Sequence, residues 1–281
     1  MIGRLRSGVA LLFLGLLPGP RSAQQTTASR DLILATTTSI RDAGLLDALL
    51  PLFERREGRR VKVLAVGSGQ AMEIGRRGEA DLLIVHDPER EHAFVAAGLA
   101  VERIPLMHNA FVIVGPKGDP ARVRGNAVAE ALRRIAARHA RFISRGDRSG
   151  THSKEAALWS AAGVAPRGAW YLEAGQGMGQ TLQIASELQA YALTDVGTFL
   201  AHKSPLDLEI LVEGDTALSN PYHVLLLNPA KFAWLDHAGA RRLRDFLLDG
   251  EIQRQIGEFG RRAFGRSLFT PAGSVDRHQG R

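Results

Sequence analysis

The sequence predicts an α/β fold of two lobes, each a mostly parallel sheet flanked by helices, joined by two crossing strands. Short apolar strands alternate with helical segments along the chain, which is typical of parallel sheets covered by helices on both faces. Two strands end at a dipeptide whose second residue is proline, Gly115-Pro116 and Asn228-Pro229. We expect these strands to cross between the lobes. Lobe one is predicted at residues 28–112 plus 225–281 and lobe two at residues 113–224. A single larger sheet is the alternative.

Three apolar strands with intervening helices are predicted for the first lobe. Apolar residues recur at helical spacing between Leu45 and Phe53, and Gly58 ends that helix. A short helix is predicted around Gln70 to Arg76. The strands are Leu32 to Ala35, Val61 to Val66 and Leu82 to Val85.

The second lobe repeats the same alternation, and the chain ends in an amphipathic helix. The strands predicted here are Phe111 to Val114, Arg141 to Ile143, Tyr191 to Thr194 and Val224 to Leu227. The helices predicted are Ala127 to His139, one through Trp159, Thr181 to Gln189, and the tail helix Ala238 to Phe259.

Residues 1–23 are predicted to be a signal peptide rather than part of the fold. Arg4 and Arg6 form a positive region, and the apolar stretch from Val9 to Leu17 is too short to span a bilayer. Small residues precede the predicted cleavage after Ala23. We therefore expect an exported, periplasmic protein.

Composition limits the class of protein. Of 281 residues, 45% are hydrophobic and 23% are charged, which is normal for a globular domain and excludes a disordered chain or a membrane bundle. The chain has no cysteine, which excludes disulfides, thiolate metal sites and a cysteine nucleophile. Removing residues 1–23 takes away three arginines and no acid, so the formal charge falls from +7 to +4. A mildly positive surface attracts anions.

One local device recurs along the chain: a strand, a turn rich in hydroxyls or glycine, and then a helix. It occurs at residues 36–39, 67–70, 144–151 and 175–180. Such turns cluster beyond the carboxyl ends of parallel strands, where ligands bind. Each presents unpaired backbone N–H groups at a helix N-terminus, and this arrangement suits an anion. The alternative for any one turn is that its hydroxyl only caps its own helix.

The segment Ser144 to His152 is the most informative of these turns. Arg145 offers a planar charged fork to an oxyanion, and Asp147 is close enough to hold the guanidinium in place. Ser149 and Thr151 add hydroxyls. The alternative is an ordinary capped helix with surface arginines.

Motifs for catalysis, nucleotides and metals are incomplete. Met72 stands where a dinucleotide fingerprint needs its third glycine, and no nucleophile elbow surrounds Ser149. The nine histidines show no metal-ligand spacing. We therefore expect neither an enzyme nor a protein-ligated metal or cofactor, with an ester hydrolase as the less favoured alternative.

Five segments resemble, in order, those of the periplasmic tungstate-binding proteins of ABC importers (the Tup type). The resemblance extends over roughly residues 31–230. It implies the type II periplasmic-binding fold, with the ligand in the cleft between two lobes. The segments are Thr36 to Ser39, Gly67 to Ala71, His86 to Pro88, Phe111 to Pro116 and Ser144 to His152.

The resemblance implies a monomeric solute-binding protein that captures tungstate or molybdate for a membrane permease and binds no nucleic acid. A phosphate- or sulfate-binding protein of the same fold is the first alternative, and an effector-binding regulatory module is a weaker one. Together the turns and the resemblance predict that Asp147 braces Arg145. The predicted ligand contacts are Thr36, Thr37, Thr38, Ser39, Ser68, Gly69, Arg145, Ser149, Thr151, Gly177, Met178 and Gly179.

Two positions depart from the family pattern. Val196 follows Asp195 where the family has a basic residue, and Phe199 stands near the family's tyrosine. An ion pair near the hinge or cleft is therefore expected to be absent.

Overall fold

Ten strands pair into one mixed sheet within residues 30–273, the part of the chain that the computed structural model describes. The signal peptide predicted for residues 1–23 lies outside this part. A long strand, β4 (Ala100–Gly115), belongs to both halves of the sheet. Its residues up to Ala110 pair with β9 (Ser219–Leu227), and from Phe111 onwards it pairs in the second half.

The first half of the sheet contains the parallel strands near the start of the chain. β1 and β3 are almost wholly buried, so their residues are apolar without alternation except for the two threonines that end β1. Its elements are β1 (Leu32–Thr37), α1 (Thr38–Asp42), α2 (Leu45–Glu57), β2 (Val61–Val66), α3 (Ser68–Arg76), β3 (Leu82–Val85) and α4 (Pro88–Ala96), followed after β9 by α9 (His237–Leu248), α10 (Gly250–Glu258), α11 (Arg261–Phe264) and β10 (Thr270–Pro271).

The second half lies between the two long strands in sequence. Its elements are α5 (Val128–Ala137), β5 (Phe142–Ser144), α6 (Gly150–Ala161), β6 (Tyr171–Glu173), α7 (Met178–Glu187), β7 (Tyr191–Asp195), α8 (Val196–His202), β8 (Glu209–Val212) and a 3₁₀ turn (Thr216–Leu218). The strand order through both halves is β2-β1-β3-β9-β4-β7-β5-β6, and β8 and β10 each pair with β4.

Helices cover both faces of each half, as predicted. In the first half, Phe53 and Phe246 pack on one face and Phe94 packs on the other. In the second half, Trp159 lies on one face and Phe199 on the other. The predicted α/β class is therefore confirmed. No described helix has both the length and the hydropathy that a membrane span requires.

The strand β9 begins earlier than the predicted strand Val224 to Leu227. Its residues Ser219 to Val224 pair with β4 or β3 in the first half of the sheet. Because β9 runs antiparallel to β4, it leaves the second half at Ser219, and its end at Asn228-Pro229 lies far from the crossing. The predicted strand missed this beginning because Ser219 and Asn220 are polar and Pro221 has no backbone N–H.

Two further differences are local. Thr36 and Thr37 belong to β1, which runs directly into α1 without a separate turn. The tail helix is broken at Asp249, whose backbone is extended (ψ 137°) and whose carboxylate accepts from the N–H of Glu251 to cap α10.

Candidate functional site

The parallel strands of the two halves run toward each other and stop at the crossing. β3 runs parallel to β1 and ends at Val85, which pairs with His223, and His223 pairs with Pro105 of β4. β7 runs parallel to β5 and antiparallel to β4, and its last residue, Asp195, pairs with Phe111. The carboxyl ends of both sets of strands therefore face each other along the stretch of β4 between Pro105 and Phe111.

Three predicted hydroxyls of the first half gather around His86, the residue after β3. The Ser39 Oγ lies 3.4 Å from His86 Nε2, and the Ser68 Oγ accepts from the His86 backbone N–H at 3.4 Å. The Thr37 Oγ1 lies 3.3 Å from the Ser39 Oγ. All four residues are buried.

The other two threonines of this segment are placed differently. The Thr36 hydroxyl donates to the carbonyl of Ile84 at 2.8 Å, so it is committed to the sheet. Thr38 is partly exposed at the start of α1. Of the Thr38 donors, only the backbone N–H therefore belongs to the N-terminus of α1, which faces the crossing.

Six helix N-termini near the crossing fall into two groups. Side chains cap α4 (Asp87), α6 (Ser149) and α8 (Asp195). No side chain caps α1 after Thr37, and likewise none caps α3 or α7, which begin after glycines. The free N–H groups of an uncapped first turn carry partial positive charge and suit an anion.

Arg145 provides the charged donor of the second half, one residue after β5. It is buried, and its Nε donates to the Asp147 Oδ2 at 3.1 Å, while Nη2 bonds the same oxygen. The Asp147 Oδ1 accepts from the Ser149 backbone N–H at 3.0 Å. Both carboxylate oxygens are thus engaged within the loop, as expected for a brace.

The electrostatics of this pair favour ionised partners. Burial would raise the pKa of Asp147, but the hydrogen bond from Ser149 and the charge of Arg145 outweigh it and hold the pKa below its ordinary value. The carboxylate therefore stays charged and orients the guanidinium near neutral pH.

A second carboxyl lies behind the arginine loop. Glu155 is buried in α6, where Tyr171 donates its hydroxyl proton to Oε1 at 2.7 Å. Burial raises the pKa of Glu155 to about 7, although hydrogen bonds from Tyr171 and Ser144 oppose the rise. The backbone of Arg145 also opposes the rise in the pKa of this carboxyl, so Glu155 lies against the loop from inside the fold.

Ser149 and Thr151, both predicted contacts, have different surroundings at the start of α6. The Ser149 Oγ accepts from the His152 N–H at 3.2 Å, so it caps the helix. Thr151 is buried in the first turn. Between them, Gly150 allows α6 to approach His86, because a Cβ at this position would lie 2.8 Å from the imidazole Cε1.

The predicted glycine turn before α7 is tied to the arginine loop, because Gly175 N–H donates to the Arg145 carbonyl at 2.9 Å. Gly177 is exposed and precedes α7. The Met178 side chain is buried in the core, so only its backbone N–H can serve a ligand. Gly179 is the second residue of the helix, and a Cβ there would lie 2.8 Å from the His202 ring.

The two halves of the sheet are in contact beside the crossing. Arg90 of α4 donates from Nη1 to the Arg148 carbonyl at 2.6 Å. A Cβ at Gly69 would lie 2.8 Å from the same Arg90 atom and 3.2 Å from that carbonyl, and one at Gly67 would lie 3.4 Å from the Ser149 Cα. The turns that begin α3 and α6 are therefore in contact across the cleft.

His86 was not among the predicted ligand contacts, although the segment His86 to Pro88 is one of the five that carry the family resemblance. Its Nδ1 lies 2.8 Å from the Asn220 Oδ1, and its ring lies near Ser39. Its position directly after a buried strand, before Asp87-Pro88, was the available signal. Burial lowers the pKa of His86 to about 4, and the charge of Arg145 contributes to the lowering.

Ser39, His86 and Asn220 form a series of hydroxyl, imidazole and amide that superficially resembles a nucleophile with its base. The ring is buried, its pKa is far below neutral, and the hydroxyl is 3.4 Å away, so the series orients groups rather than activating one. Over residues 30–273, no group of three or more histidine, aspartate or glutamate side chains is placed to hold a metal ion.

Comparisons with known proteins agree on one family. Residues 22–251 match the family model for the PBP superfamily domain. The tungstate-binding protein TupA of Peptoclostridium acidaminophilum is 47% identical over 251 residues, which are 88% of this chain and 88% of that protein. TupA of Campylobacter jejuni is 37% identical over 78% of this chain and 83% of its own length.

Solved structures give the same result. The crystal structure of the tungstate ABC transporter from Geobacter sulfurreducens is 47% identical, with a TM-score of 0.77, over 83% of this chain and 100% of that one. The tungstate-binding protein TupA from Desulfovibrio alaskensis is 42% identical, with a TM-score of 0.74, over 85% of this chain and 98% of that one.

Proposed function

Because this chain belongs to the periplasmic-binding-protein superfamily and, within it, to the tungstate-binding proteins of ABC transporters, we propose that it captures tungstate, with molybdate as second ligand, for a membrane permease. It has the type II periplasmic-binding fold and is a substrate-binding protein, not an enzyme. The oxyanion is cargo rather than a cofactor.

The meeting of uncapped helix N-termini with one braced arginine carries this proposal. α1 and α3 come from the first half of the sheet, and α7 and Arg145 come from the second. All supply hydrogen-bond donors. Stripping water from a dianion is costly, and charge-assisted hydrogen bonds from such donors return part of that cost.

The state of Asp147 supports an anion without a proton. Tungstate carries none at neutral pH, whereas phosphate carries one near pH 7 and needs an acceptor. Asp147 is the carboxylate beside Arg145 that could serve as such an acceptor. Both of its oxygens are already engaged by the Arg145 guanidinium and the Ser149 N–H. The arrangement favours tungstate or molybdate over phosphate.

We propose the ligand contacts as a narrower set than the sequence suggested. The backbone N–H groups that open α1, α3 and α7 join the Arg145 guanidinium and the hydroxyls of Thr37, Ser68 and Thr151. Thr36 and Ser149 are left out because the first bonds the sheet and the second caps α6.

The two halves are proposed to move as lobes about β4 and β9. The predicted lobes were 28–112 plus 225–281 and 113–224, and the pairing of Ala110 with Ser219 supports moving the second boundary to residue 219. Donors on both lobes favour the closed form when the anion is bound, which offers the permease a two-state signal. A monomeric, exported protein without residues 1–23 is part of the same proposal.

Thermal melting of the exported chain, residues 24–281, with separate oxyanions tests the function. Tungstate at 100 times Kd is expected to add about 2.7 kcal/mol of stability, with sulfate, phosphate and chloride as controls. This is a shift of a few degrees for a chain of this length. No shift with any oxyanion would remove the proposal, and a shift with phosphate alone would reassign the protein to the phosphate-binding relatives of this fold.

A further inference from the structure

A chain of buried amide and imidazole groups connects the second half of the sheet to the first through the crossing strands. The Asn109 Nδ2 donates to the Asp195 Oδ1 at 3.1 Å. The Asn220 Nδ2 donates to the Asn109 Oδ1 at 2.7 Å, and the Asn220 Oδ1 lies 2.8 Å from the His86 Nδ1. Each of these residues is at most 5% exposed.

The direction of this chain is set at the Asp195 end. The Asp195 Oδ1 also accepts from the Thr198 backbone N–H at 3.0 Å, and in the ionised carboxylate this oxygen can only accept. Asn109 must therefore present its NH₂ group to Asp195, which leaves its carbonyl oxygen for the next residue. An amide cannot reverse this order without turning over.

The same logic continues to the imidazole. Asn220 gives its NH₂ group to Asn109, so its carbonyl oxygen faces the His86 Nδ1, and Nδ1 must carry a proton to make that 2.8 Å bond. Burial keeps the ring neutral at pH 7 because it lowers the pKa of His86 to about 4. Nε2 then has a lone pair, and Ser39 is the group that lies beside it.

We propose that Asp195 is a positioning residue that fixes His86 in its neutral Nδ1–H tautomer. Ser39 consequently donates its proton to Nε2, so Thr37 is the donor in the 3.3 Å contact between the two hydroxyls. Thr37, rather than Ser39, has a proton that can turn to an arriving oxyanion. This last step rests on the proposed function, whereas the tautomer does not.

The tautomer is measurable without any ligand. The exported chain is labelled with ¹⁵N-histidine, and long-range ¹H–¹⁵N correlation spectra are recorded at neutral pH, with His86 identified by the signals lost in His86→Gln. A protonated Nδ1 and an unprotonated Nε2 are expected. An Nε2–H form, or a mixture of the two forms, in the natural sequence would overturn the proposal.

The role of Asp195 is tested by interrupting the chain at its middle. Asn109→Ala separates Asp195 from Asn220 while keeping the Asp195 cap on α8, and a mixture of His86 tautomers is expected. Asn228→Ala is the matched control, because it also removes an asparagine side chain, one that lies just beyond the other end of β9 and donates to the Gly98 carbonyl. An unchanged tautomer in a folded Asn109→Ala protein would contradict the role of Asp195. If that variant does not fold, the spectrum of the natural sequence still decides the tautomer.

Calorimetric titration with tungstate separates this inference from the function. Asn109→Ala is expected to bind about tenfold more weakly, equal to about 1.4 kcal/mol, and Asn228→Ala is expected to bind normally. Equal affinity in Asn109→Ala would contradict the positioning role. Absence of tungstate binding in the natural sequence would instead defeat the proposed function and leave the tautomer to be judged by its spectrum.

Discussion

Arg145 combines two demands on a single residue, since it is buried and its charge is expected to face a ligand. Asp147 satisfies Nε and Nη2 of the guanidinium, and no hydrogen bond from Nη1 to another residue is found within 30–273. A planar fork allows this division, because one edge can be held while another donor is directed elsewhere. Lysine has no such geometry.

Replacing Arg145 with alanine is expected to reduce the tungstate-induced thermal shift by about half or more at the same tungstate concentration. A charge-assisted hydrogen bond is worth about 1.5–3 kcal/mol, so affinity should fall about tenfold to a hundredfold or more. Arg145→Lys should recover only part of the loss. Arg141→Ala is a suitable control, because Arg141 is exposed and bonds the Leu188 carbonyl. Unchanged affinity in Arg145→Ala would refute the assignment of this residue.

Glu155 should make the stability of the fold depend on pH. Burial raises its pKa to about 7 from an ordinary value of 4.5. The stability contributed by the protonated carboxyl is fully present below the unfolded pKa and is lost as pH rises through the folded pKa. The free energy of unfolding should therefore fall between about pH 5 and about pH 8, and Glu155→Gln should remove this part of the slope.

Urea denaturation at about pH 5 and at about pH 8 measures the free energy of unfolding and checks the Glu155 prediction. Glu130→Gln is the control, because hydrogen bonds from Arg134 and Arg133 lower the pKa of exposed Glu130 and its titration lies below this range. If the free energy of unfolding depended equally on pH in Glu155→Gln and in the natural sequence, titration of Glu155 would not be its cause.

Among the elements, the helices around the crossing divide by how their first turns are satisfied. α6 is capped by Ser149, and Asp87 and Asp195 cap α4 and α8. The first turns of α1, α3 and α7 have no such cap within the described residues. A capped turn contributes stability, whereas an uncapped one keeps donors available to a ligand.

Two substitutions in the first turn of α6 should separate these roles. Ser149→Ala is expected to lower the free energy of unfolding by about 1 kcal/mol, with little change in tungstate affinity. Thr151→Val keeps the shape of a buried side chain and removes its hydroxyl, so it should weaken binding more than it alters stability. Chemical denaturation and calorimetry on both variants give the comparison, and the reverse pattern would return Ser149 to the ligand contacts.

Over the whole molecule, the two halves are joined by the crossing strands and by contacts across the cleft. The bond from Arg90 to the Arg148 carbonyl is on the rim, where the Arg90 side chain is 41% exposed. The buried chain from Asp195 to His86 runs through the crossing itself. In the proposed movement of the lobes, the rim contact breaks when the cleft opens, whereas the crossing persists.

Arg90→Ala should therefore lower the affinity for every oxyanion that binds, and by a similar factor for each. An exposed contact of this kind is worth at most about 1 kcal/mol, so the loss of affinity should be about fivefold or less. Arg77→Ala is the control, since Arg77 is exposed and pairs only with Glu79 within the described chain. Small-angle scattering of the ligand-free protein should show a larger radius of gyration for Arg90→Ala. A change in tungstate affinity alone, with molybdate affinity unaffected, would contradict the idea that the Arg90 bond to the Arg148 carbonyl holds the cleft closed.

Much of the fold follows from local signals, and the errors have a common cause. The leucines of α2 and the apolar strands β1 and β3 are visible because burial imposes a period on the sequence. The beginning of β9 was missed because Ser219 to Pro221 are polar or lack an N–H, yet pairing with β4 places them in the sheet.

The sequence by itself determined the donor-rich turns, their place after strands, the charged fork of Arg145 and the family, because these depend on residue type and short spacing. Only the tertiary structure decided which donors remain free. The Thr36 hydroxyl donates to the Ile84 carbonyl and is not free for a ligand. The His86 tautomer depends on Asn220, which is 134 residues away in sequence. A hydroxyl or imidazole takes its direction from whichever partner packs beside it, and that partner is chosen by the fold.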